Sequence, residues 1–292
     1  MNKYIIEKLL CRSNLTLFLN FLFQRFDGGY QKDLQTELQQ LFSTLQPNIV
    51  AFQGEGLVTS PVRWVGSESG YAPYPCWLTC SYDSYGAGDS NAATMFPAET
   101  DFTLQNGDNW FYSSTSGVHS AAELRNMYET SVGHSTSLII DIAPFPNGTV
   151  PDEQVAAAAS LGSFVTACYS NPIVQTSGSG QTLISLTPSA AITIDRVLVS
   201  EGISHGQLIR SFTITGLQTG GTTVTLATGS AIGANFIQIL DPPVSNVNVI
   251  TLNITSIAQL SPQGAPYVSN FAVFSCSQIA KEADEKWAAL GY

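Results

Sequence analysis

Residues 20–52 read NFLFQRFDGGYQKDLQTELQQLFSTLQPNIVAF, and this stretch decides the fold class. Residues 20–26 are apolar and β-prone, and residues 48–52 form a second short apolar run. Between them, apolar side chains recur at helical spacing and predict a helix over residues 31–45. These side chains are Leu34, Leu38, Leu41, Phe42 and Leu45. A strand, a helix and a second strand in this order are typical of a parallel α/β sheet.

The same alternation continues to about residue 172. A strand end is expected within residues 93–102, and Ser120 with Glu123 forms a capping-box pattern that opens a helix ending near Val132. Residues 138–142, Leu-Ile-Ile-Asp-Ile, predict a strand buried on both faces. An Ala-rich stretch from Pro151 to Tyr169 predicts a further helix.

The pattern changes to period two after about residue 175. Glycine, serine, threonine and asparagine turns separate short alternating runs, which together predict a β-sandwich. The predicted strands are residues 183–187, 191–194, 196–199, 209–215, 222–227, 236–240, 247–254 and 269–274, and a short terminal helix is expected over 281–289. We therefore assign an α/β domain to residues 1–172, with an atypical leader over 1–25, and a β-sandwich domain to residues 173–292.

The charge balance excludes several classes of partner. The chain has 292 residues, with 22 acidic and 11 basic side chains, and its formal net charge is −11. Binding to a nucleic-acid backbone needs clustered lysine and arginine, so we expect no nucleic-acid partner. No apolar run reaches the roughly 18 residues that a membrane span needs. Cys76 and Cys80 resemble half of a zinc site, but no second ligand pair has suitable spacing, so we expect no metal or other cofactor.

Two acidic residues follow predicted strands. Asp27 comes directly after the strand at residues 20–26, and Glu68 lies in a loop that we place after the neighbouring strand at 48–52. In β/α barrels, reactive groups sit at the C-terminal ends of strands. Two carboxylates about 5–5.5 Å apart suit retaining glycoside hydrolysis. Aromatic side chains near these loops could contact the apolar face of a sugar: Trp64, Tyr71, Trp77, Trp110 and Tyr112. The alternative is that Asp27 caps a turn and that the aromatic residues fill the core.

Residues 26–172 resemble the α-L-fucosidase family of glycoside hydrolases, through several motifs in family order. The matching stretches are Phe26-Asp27-Gly28-Gly29-Tyr30, residues 63–68 (RWVGSE), Phe96-Pro97-Ala98-Glu99, Trp110-Phe111-Tyr112, residues 128–133 (YETSVG) and residues 138–144 (LIIDIAP). Residues 194–197 (IDRV) and 206–210 (GQLIR) resemble the family's C-terminal β-sandwich. The resemblance implies an α/β plus β fold, in which the C-terminal portion of a truncated (β/α)8-type barrel precedes a β-sandwich.

The resemblance also implies roles for individual residues. The acid of the Phe-Asp-Gly motif, Asp27, would be the nucleophile, and Glu68 would be the acid/base, although Ser67 stands where the family usually has Asn. Glu99 is the competing acid/base; its alternative role is to hold Arg63 or a sugar hydroxyl. The residues expected to bind substrate are Arg63, Trp64, Tyr71, Glu99 and Trp110. Glu55 is a third candidate acid, expected in solvent or bonded to the loop backbone, and His134 is expected to cap a helix end.

The departure from the family pattern concerns the barrel itself. Family catalytic domains are full eight-stranded barrels, whereas here the nucleophile-bearing strand begins near residue 20. A partial barrel has open sheet edges and an uncovered inner layer. We therefore expect low or absent turnover by this chain alone, and a second copy or a partner chain over the open edge.

Three functions remain open on the sequence. The first is a retaining α-L-fucosidase that acts on fucosylated glycans, the second is a non-catalytic fucose- or glycan-binding protein, and the third is an inactive truncated gene product. The resemblance implies a secreted or lysosomal/vacuolar location. Sequons at Asn14, Asn147 and Asn253 are consistent with it. The apolar stretch at residues 15–23 lacks a small-residue cleavage site and is therefore no convincing signal peptide.

Overall fold

The computed structural model describes residues 23–81, 86–258 and 265–291. Its first part is a five-stranded parallel sheet in which the strands lie in the order of the sequence. The strands are β1 (Phe23–Arg25), β2 (Val50–Phe52), β3 (Ser60–Trp64), β4 (Ala98–Thr103) and β5 (Ser137–Asp141). Each connection therefore moves the chain one strand along in the same direction, as in a β/α barrel.

The predicted helices of this part are confirmed. A 3-10 turn at Lys32–Leu34 leads into α1 (Gln35–Leu45), and α2 (Ala121–Ser131) and α3 (Asp152–Tyr169) follow. At the start of α2 the Ser120 hydroxyl accepts the Glu123 N–H, and the Glu123 carboxylate accepts the Ser120 N–H. This reciprocal pair satisfies two N–H groups that have no partner inside the helix.

The parallel sheet is strongly curled. Arg25 at the end of β1 forms ion pairs with both Glu99 and Asp101 of β4. Three strand spacings separate these strands, about 14 Å along a flat sheet, which is more than the paired side chains comfortably span. The sheet must therefore bend around its inner face, and this curvature gives the open half-cylinder that the resemblance implied.

One boundary expectation is wrong. The loop expected to begin after residue 52 contains a further strand, β3, so Arg63 and Trp64 lie in a strand. Because β2 lies between β1 and β3, Asp27 and Glu68 do not follow neighbouring strands. β3 contains a serine, a proline and an arginine, and its strand form depends on pairing with β2 and β4 rather than on its local sequence.

Residues 138–142 lie largely in a strand, as predicted, but the prediction that this strand is buried on both faces is wrong. These residues form most of β5, but Ile139 is 39% exposed, and Ile142, just beyond the strand, is 42% exposed. Leu138 and Ile140 pack under the helices on the other face. Within the described residues β5 is an edge strand, so Ile139 on the inner face is left partly exposed.

The second part is a two-layered antiparallel β-sandwich, as predicted. Its strands are β6 (Val174–Ser179), β7 (Leu183–Leu186), β8 (Ile192–Glu201), β9 (Ile209–Gln218), β10 (Thr223–Gly229), β11 (Phe236–Ile257) and β12 (Tyr267–Phe274). One layer is β6-β12-β8 with the first half of β11; the other is β7, the second half of β11, β9 and β10. The predicted strands at 191–194 and 196–199 form one strand, β8, and those at 236–240 and 247–254 form the long strand β11. β11 is long because it contributes to both layers.

The two parts are joined covalently and by a buried polar network. Cys168 at the end of α3 forms a disulfide with Cys276, which precedes α4 (Ser277–Ala289). Arg196 of β8 donates to Glu129 of α2 at 2.6 Å, and the Tyr169 hydroxyl donates to the same carboxylate at 2.6 Å. The helix α4 follows the sandwich in the sequence, yet it packs on α2 and α3.

Candidate active site

Asp27 lies in a tight turn immediately after β1 and is exposed. The Gly29 N–H closes the turn on the Phe26 carbonyl at 2.9 Å, with positive φ at Gly28 and Gly29. The same N–H also lies 3.0 Å from the side-chain oxygen of Gln53, in the turn after β2. A side chain at either glycine would strain this backbone. The sequence Asp-Gly-Gly thus presents Asp27 at the C-terminal rim of the sheet.

Glu68 lies on the loop that leaves β3 and is also exposed. This loop is anchored to β4 at both ends, since the Val65 N–H donates to the Glu99 carbonyl and the Gly70 N–H to the Asp101 carbonyl. Glu68 therefore also projects at the C-terminal rim, and β2 lies between its strand and the strand that carries Asp27.

A charged cluster lies on the inner face of the curled sheet, below this rim. It consists of Arg25, Trp64, Glu99 and Asp101, and we call it the floor cluster. Arg25 pairs with both carboxylates, and the Trp64 indole N–H donates to Asp101 at 2.9 Å. Glu99 is only 1% exposed, and Asp101 is also buried. The structure thus brings together two predicted substrate-binding residues, Trp64 and Glu99, and adds Arg25 and Asp101.

Burial raises the pKa of Glu99 to about 7. The Arg25 guanidinium opposes this shift, and the neighbouring Asp101 carboxylate adds to it. A carboxyl with a pKa near neutrality is protonated for a large fraction of the time at mildly acidic pH. Such a group has the protonation behaviour that a general acid needs.

Sequence reasoning missed Arg25 and Asp101. Asp101 follows Glu99 by two residues, and in a strand this spacing places both carboxylates on one face. Arg25 ends β1 two residues after Phe23, so the same spacing places the side chains of Phe23 and Arg25 on one face of the sheet. The spacing was therefore a usable signal for Asp101, whereas the contact of Arg25 with β4 depends on the curvature of the sheet.

Arg63 is not brought to the floor cluster. Strand alternation points it away from Trp64, and its buried guanidinium donates to the carbonyls of Phe96, Gly86 and Trp77. Glu99 pairs with Arg25 and not with Arg63. Arg63 thus organises the long connection between β3 and β4, and contact between Arg63 and a sugar stays a prediction.

The remaining candidates occupy the surrounding loops. Tyr71 is half-buried, and its hydroxyl accepts the Asn126 side-chain N–H at 3.3 Å. Trp110 is half-buried in the loop after β4. The Glu55 carbonyl accepts the Tyr30 hydroxyl at 2.6 Å. His134 does not cap its helix end; its Nδ1 lies 2.8 Å from the Ala72 carbonyl, so it ties α2 to the loop after β3.

The described residues contain neither a cluster of metal-ligand side chains nor a helix that could span a membrane. Between 23 and 291, outside the gaps, His, Cys, Asp and Glu side chains form no group of three or more that could hold a metal ion. Cys76 and Cys80 are both buried, and Arg63 lies 3.5 Å from the Cys76 sulfur. The helices in this part of the chain are too short or too polar to cross a bilayer.

Comparison with known proteins gives sequence matches to plant proteins. No protein-family model matches the chain. It is 26% identical to Alpha-L-fucosidase 1 of Arabidopsis thaliana over 161 residues, which cover 51% of this chain and 31% of the Arabidopsis protein. A rice protein named for the same activity is 30% identical over 125 residues, which cover 39% of this chain and 23% of the rice protein. The aligned part of the chain thus spans less than a third of either plant relative.

Solved structures share the fold over almost the whole chain. A protein from Bacteroides thetaiotaomicron named as an α-L-fucosidase superposes with a TM-score of 0.79 at 24% identity, covering 94% of this chain and 65% of its own. A Ruminococcus gnavus GH29 fucosidase, solved in complex with fucose, superposes with a TM-score of 0.73 at 19% identity, covering 89% and 62%. The shared fold is the curled parallel sheet followed by the β-sandwich. Together, the sequence matches and this fold confirm that the chain resembles the α-L-fucosidase family of glycoside hydrolases.

Proposed function

We propose that this chain hydrolyses terminal α-L-fucose from glycans with retention of configuration, at a low rate when it acts alone. The observation that supports this most directly is the placement of two acids on one rim: Asp27 after β1 and Glu68 after β3, above the floor cluster. Both acids are exposed, as groups that meet a substrate must be. The choice of fucose as the sugar rests on the resemblance to α-L-fucosidases, because acids on a barrel rim do not by themselves select fucose.

In the first step, an oxygen of the Asp27 carboxylate attacks the anomeric carbon. The bond between this carbon and the glycosidic oxygen breaks, and Glu68 gives its proton to the departing oxygen. A covalent fucosyl-enzyme ester results. In the second step, Glu68 takes a proton from water, the water oxygen attacks the anomeric carbon, and the ester bond to Asp27 breaks. Two inversions give net retention, and no cofactor takes part.

Glu99 remains the competing acid/base within this proposal. Its raised pKa favours such a role, whereas its burial and its ion pair with Arg25 oppose direct contact with a leaving group. We favour a supporting role for Glu99. With Glu99 protonated, the floor cluster contains one positive and one negative charge, which leaves little net field beneath the reacting sugar.

A direct test assigns the nucleophile with an aryl α-L-fucoside. We expect Asp27→Ala to lower kcat roughly 10³-fold or more, because no other group forms the ester. Added azide should restore turnover and yield a β-fucosyl azide, the inverted product. The matched control is Asp33→Asn, at an exposed acid six residues further along, which should retain normal activity. An Asp27→Ala variant with unchanged turnover would remove Asp27 from the mechanism.

The acid/base is assigned by leaving-group dependence. Glu68→Gln should slow the hydrolysis of fucosides with poor leaving groups far more than that of activated aryl fucosides, because only the former need protonation. Glu99→Gln should affect both classes alike if it acts by support. The opposite pattern, with the leaving-group effect at Glu99, would transfer the acid/base role to that residue.

Binding of fucosylated glycans without hydrolysis is the second candidate function. The specific observation in its favour is the exposed inner face of β5, where Ile139 lies open to water. Water in the trough would weaken the preorganised electrostatics on which catalysis depends. A second copy or a partner chain over this face stays a prediction. Fucose binding by the purified chain without any turnover of an aryl fucoside would favour this function and contradict the hydrolase.

A secreted or vacuolar/lysosomal location is part of the proposal. The sequons at Asn147 and Asn253 are exposed, and the sequon at Asn14 lies outside the described residues. The disulfide between Cys168 and Cys276 also fits an oxidising compartment. Expression in a eukaryotic secretory system should give a product whose mobility shifts on removal of N-glycans, and the shift should decrease in Asn147→Gln.

A further inference from the structure

The most exposed large apolar side chain among the described residues is Phe111, at 88%. It lies in the loop that leaves β4, between the half-buried Trp110 and Tyr112. Leaving a phenyl ring in water forgoes the stabilisation that its burial would give. The loop around it consists largely of asparagine, glycine, serine and threonine, so the aromatic residues at positions 110–112 stand out in it.

The loop that carries the exposed Phe111 is held in place by several hydrogen bonds. The fully buried Gln105 side chain donates to the carbonyls of Asn109 and Phe111 at 3.1 and 3.0 Å, and its oxygen accepts the Ser113 N–H at 2.9 Å. The base of the loop is closed by the Asn106 N–H, which donates to the Gly117 carbonyl at 2.9 Å. The backbone on both sides of Phe111 is therefore fixed, and the ring is held outward.

The loop lies on the same rim as the two candidate catalytic acids. It follows the C-terminal end of β4, as the Asp27 turn follows β1 and the Glu68 loop follows β3, and all of these strands are parallel. Tyr112 is itself supported by Phe145 from the loop after β5, with ring centroids 4.4 Å apart. We call these aromatic residues of the two loops, Trp110, Phe111, Tyr112 and Phe145, the aromatic ledge; both loops leave the rim that carries the proposed fucose site.

We propose that Phe111 is the platform on which the sugar next to fucose stacks, so that this ledge selects fucosylated oligosaccharides over free fucose. This inference rests on the proposed function. A phenyl face carries partial negative charge and is apolar, and the C–H groups on one face of a pyranose ring are apolar with partial positive charge. A single exposed ring in a polar loop matches the area of one sugar ring and is much smaller than the patches typical of protein partners.

The test compares two ligands on the full chain by NMR or calorimetric titration: free L-fucose, and a fucosylated trisaccharide whose fucose is linked through sulfur so that the chain does not hydrolyse it. We expect the wild-type chain to bind the trisaccharide more tightly. Phe111→Ala should weaken trisaccharide binding about 3- to 10-fold and leave fucose binding unchanged. Phe111→Tyr should retain the preference, and Phe111→Leu should lose it, because leucine keeps apolar area without a flat ring. Leu183→Ala, at an exposed apolar residue of β7, is the matched control and should change neither affinity.

Each outcome decides one of the two proposals. Equal effects of Phe111→Ala on both ligands, or no effect on either, would overturn the platform while leaving the fucose site intact. Trisaccharide binding that depends on Phe111 without any binding of fucose would support the platform and contradict the proposed function. Failure of the wild-type chain to bind either ligand would overturn both.

Discussion

Arg25 is the residue on which the charge balance of the inner face depends. It pairs with two buried carboxylates that come from one strand, and removing it would leave Glu99 and Asp101 buried without a positive partner. Breaking a buried pair from one side costs more than the pair itself contributes, because the remaining charge stays desolvated.

We therefore predict that Arg25→Met lowers the free energy of unfolding by about 3 kcal/mol, at the lower end for buried pairs because Arg25 is partly exposed. Urea denaturation checks this value. Lys281→Met is the control, since Lys281 lies on the surface of α4 and its contact with Glu285 is 3.9 Å and exposed. An equal, small loss in both variants would show that the floor cluster is not held by Arg25.

Glu201 makes stability depend on pH in an unusual direction. Its buried carboxylate accepts the backbone N–H groups of Leu208, Ile209 and Gly233, yet burial raises its pKa from 4.5 to about 7. The folded chain thus binds this proton more tightly than the unfolded chain does. Stability from this group is complete below about pH 4.5 and is lost as the pH rises through about 7. The pKa of Glu99 is shifted in the same direction.

The free energy of unfolding should therefore fall between about pH 4.5 and pH 7, by on the order of 2–3 kcal/mol for each of these two groups. Urea titrations at several pH values measure it. Glu201→Gln should flatten part of this slope, because its side chain no longer titrates. Stability that rises with pH over the same interval would contradict the assignment.

The helix α2 begins with a device that could be read directly from the sequence. The capping box of Ser120 and Glu123 was predicted from spacing, and both of its hydrogen bonds are present. This succeeded because a capping box involves residues within one turn, so local sequence contains all of the information. β3 is the opposite case, since its pairing partners β2 and β4 come from elsewhere in the chain.

We predict that Ser120→Ala lowers the free energy of unfolding by about 1 kcal/mol, because the Glu123 N–H loses its acceptor. Thermal or urea denaturation measures the loss. Ser163→Ala, in the middle of α3 on an exposed face, should change stability by less than about 0.5 kcal/mol. If both substitutions had the same effect, the capping interaction would contribute nothing in this protein.

The molecule as a whole is held together by a link that closes a long loop. The disulfide between Cys168 and Cys276 spans 108 residues, and these include the entire sandwich. Together with Arg196 and Glu129, it fixes the sandwich against the helices of the parallel sheet. The sandwich therefore acts as a support for α2 and α3, and through them for the strands that carry the floor cluster.

Removing this disulfide should destabilise the chain by about 5 kcal/mol, the amount expected for a loop of this length. The double variant Cys168→Ala with Cys276→Ala, unfolded in urea, tests the prediction. Dithiothreitol should shift the midpoint of the wild-type chain towards that of the variant and leave the variant unchanged. If dithiothreitol left the urea midpoint of the wild-type chain unchanged under unfolding conditions, the result would contradict a stabilising disulfide between Cys168 and Cys276.

The sequence by itself determined the main helices, most of the strands, the change from α/β to β architecture, and the position of Asp27 after β1. These features depend on periodicity, turn residues and short motifs such as Asp27-Gly28-Gly29, all of which act within a few residues. Only the tertiary structure decided that Arg25 meets Glu99 and Asp101, that Arg63 points away from them, and that β2 separates the two acid-bearing strands. The physical reason is that these contacts depend on the curvature and register of the sheet, which are set by pairing between segments distant in the chain.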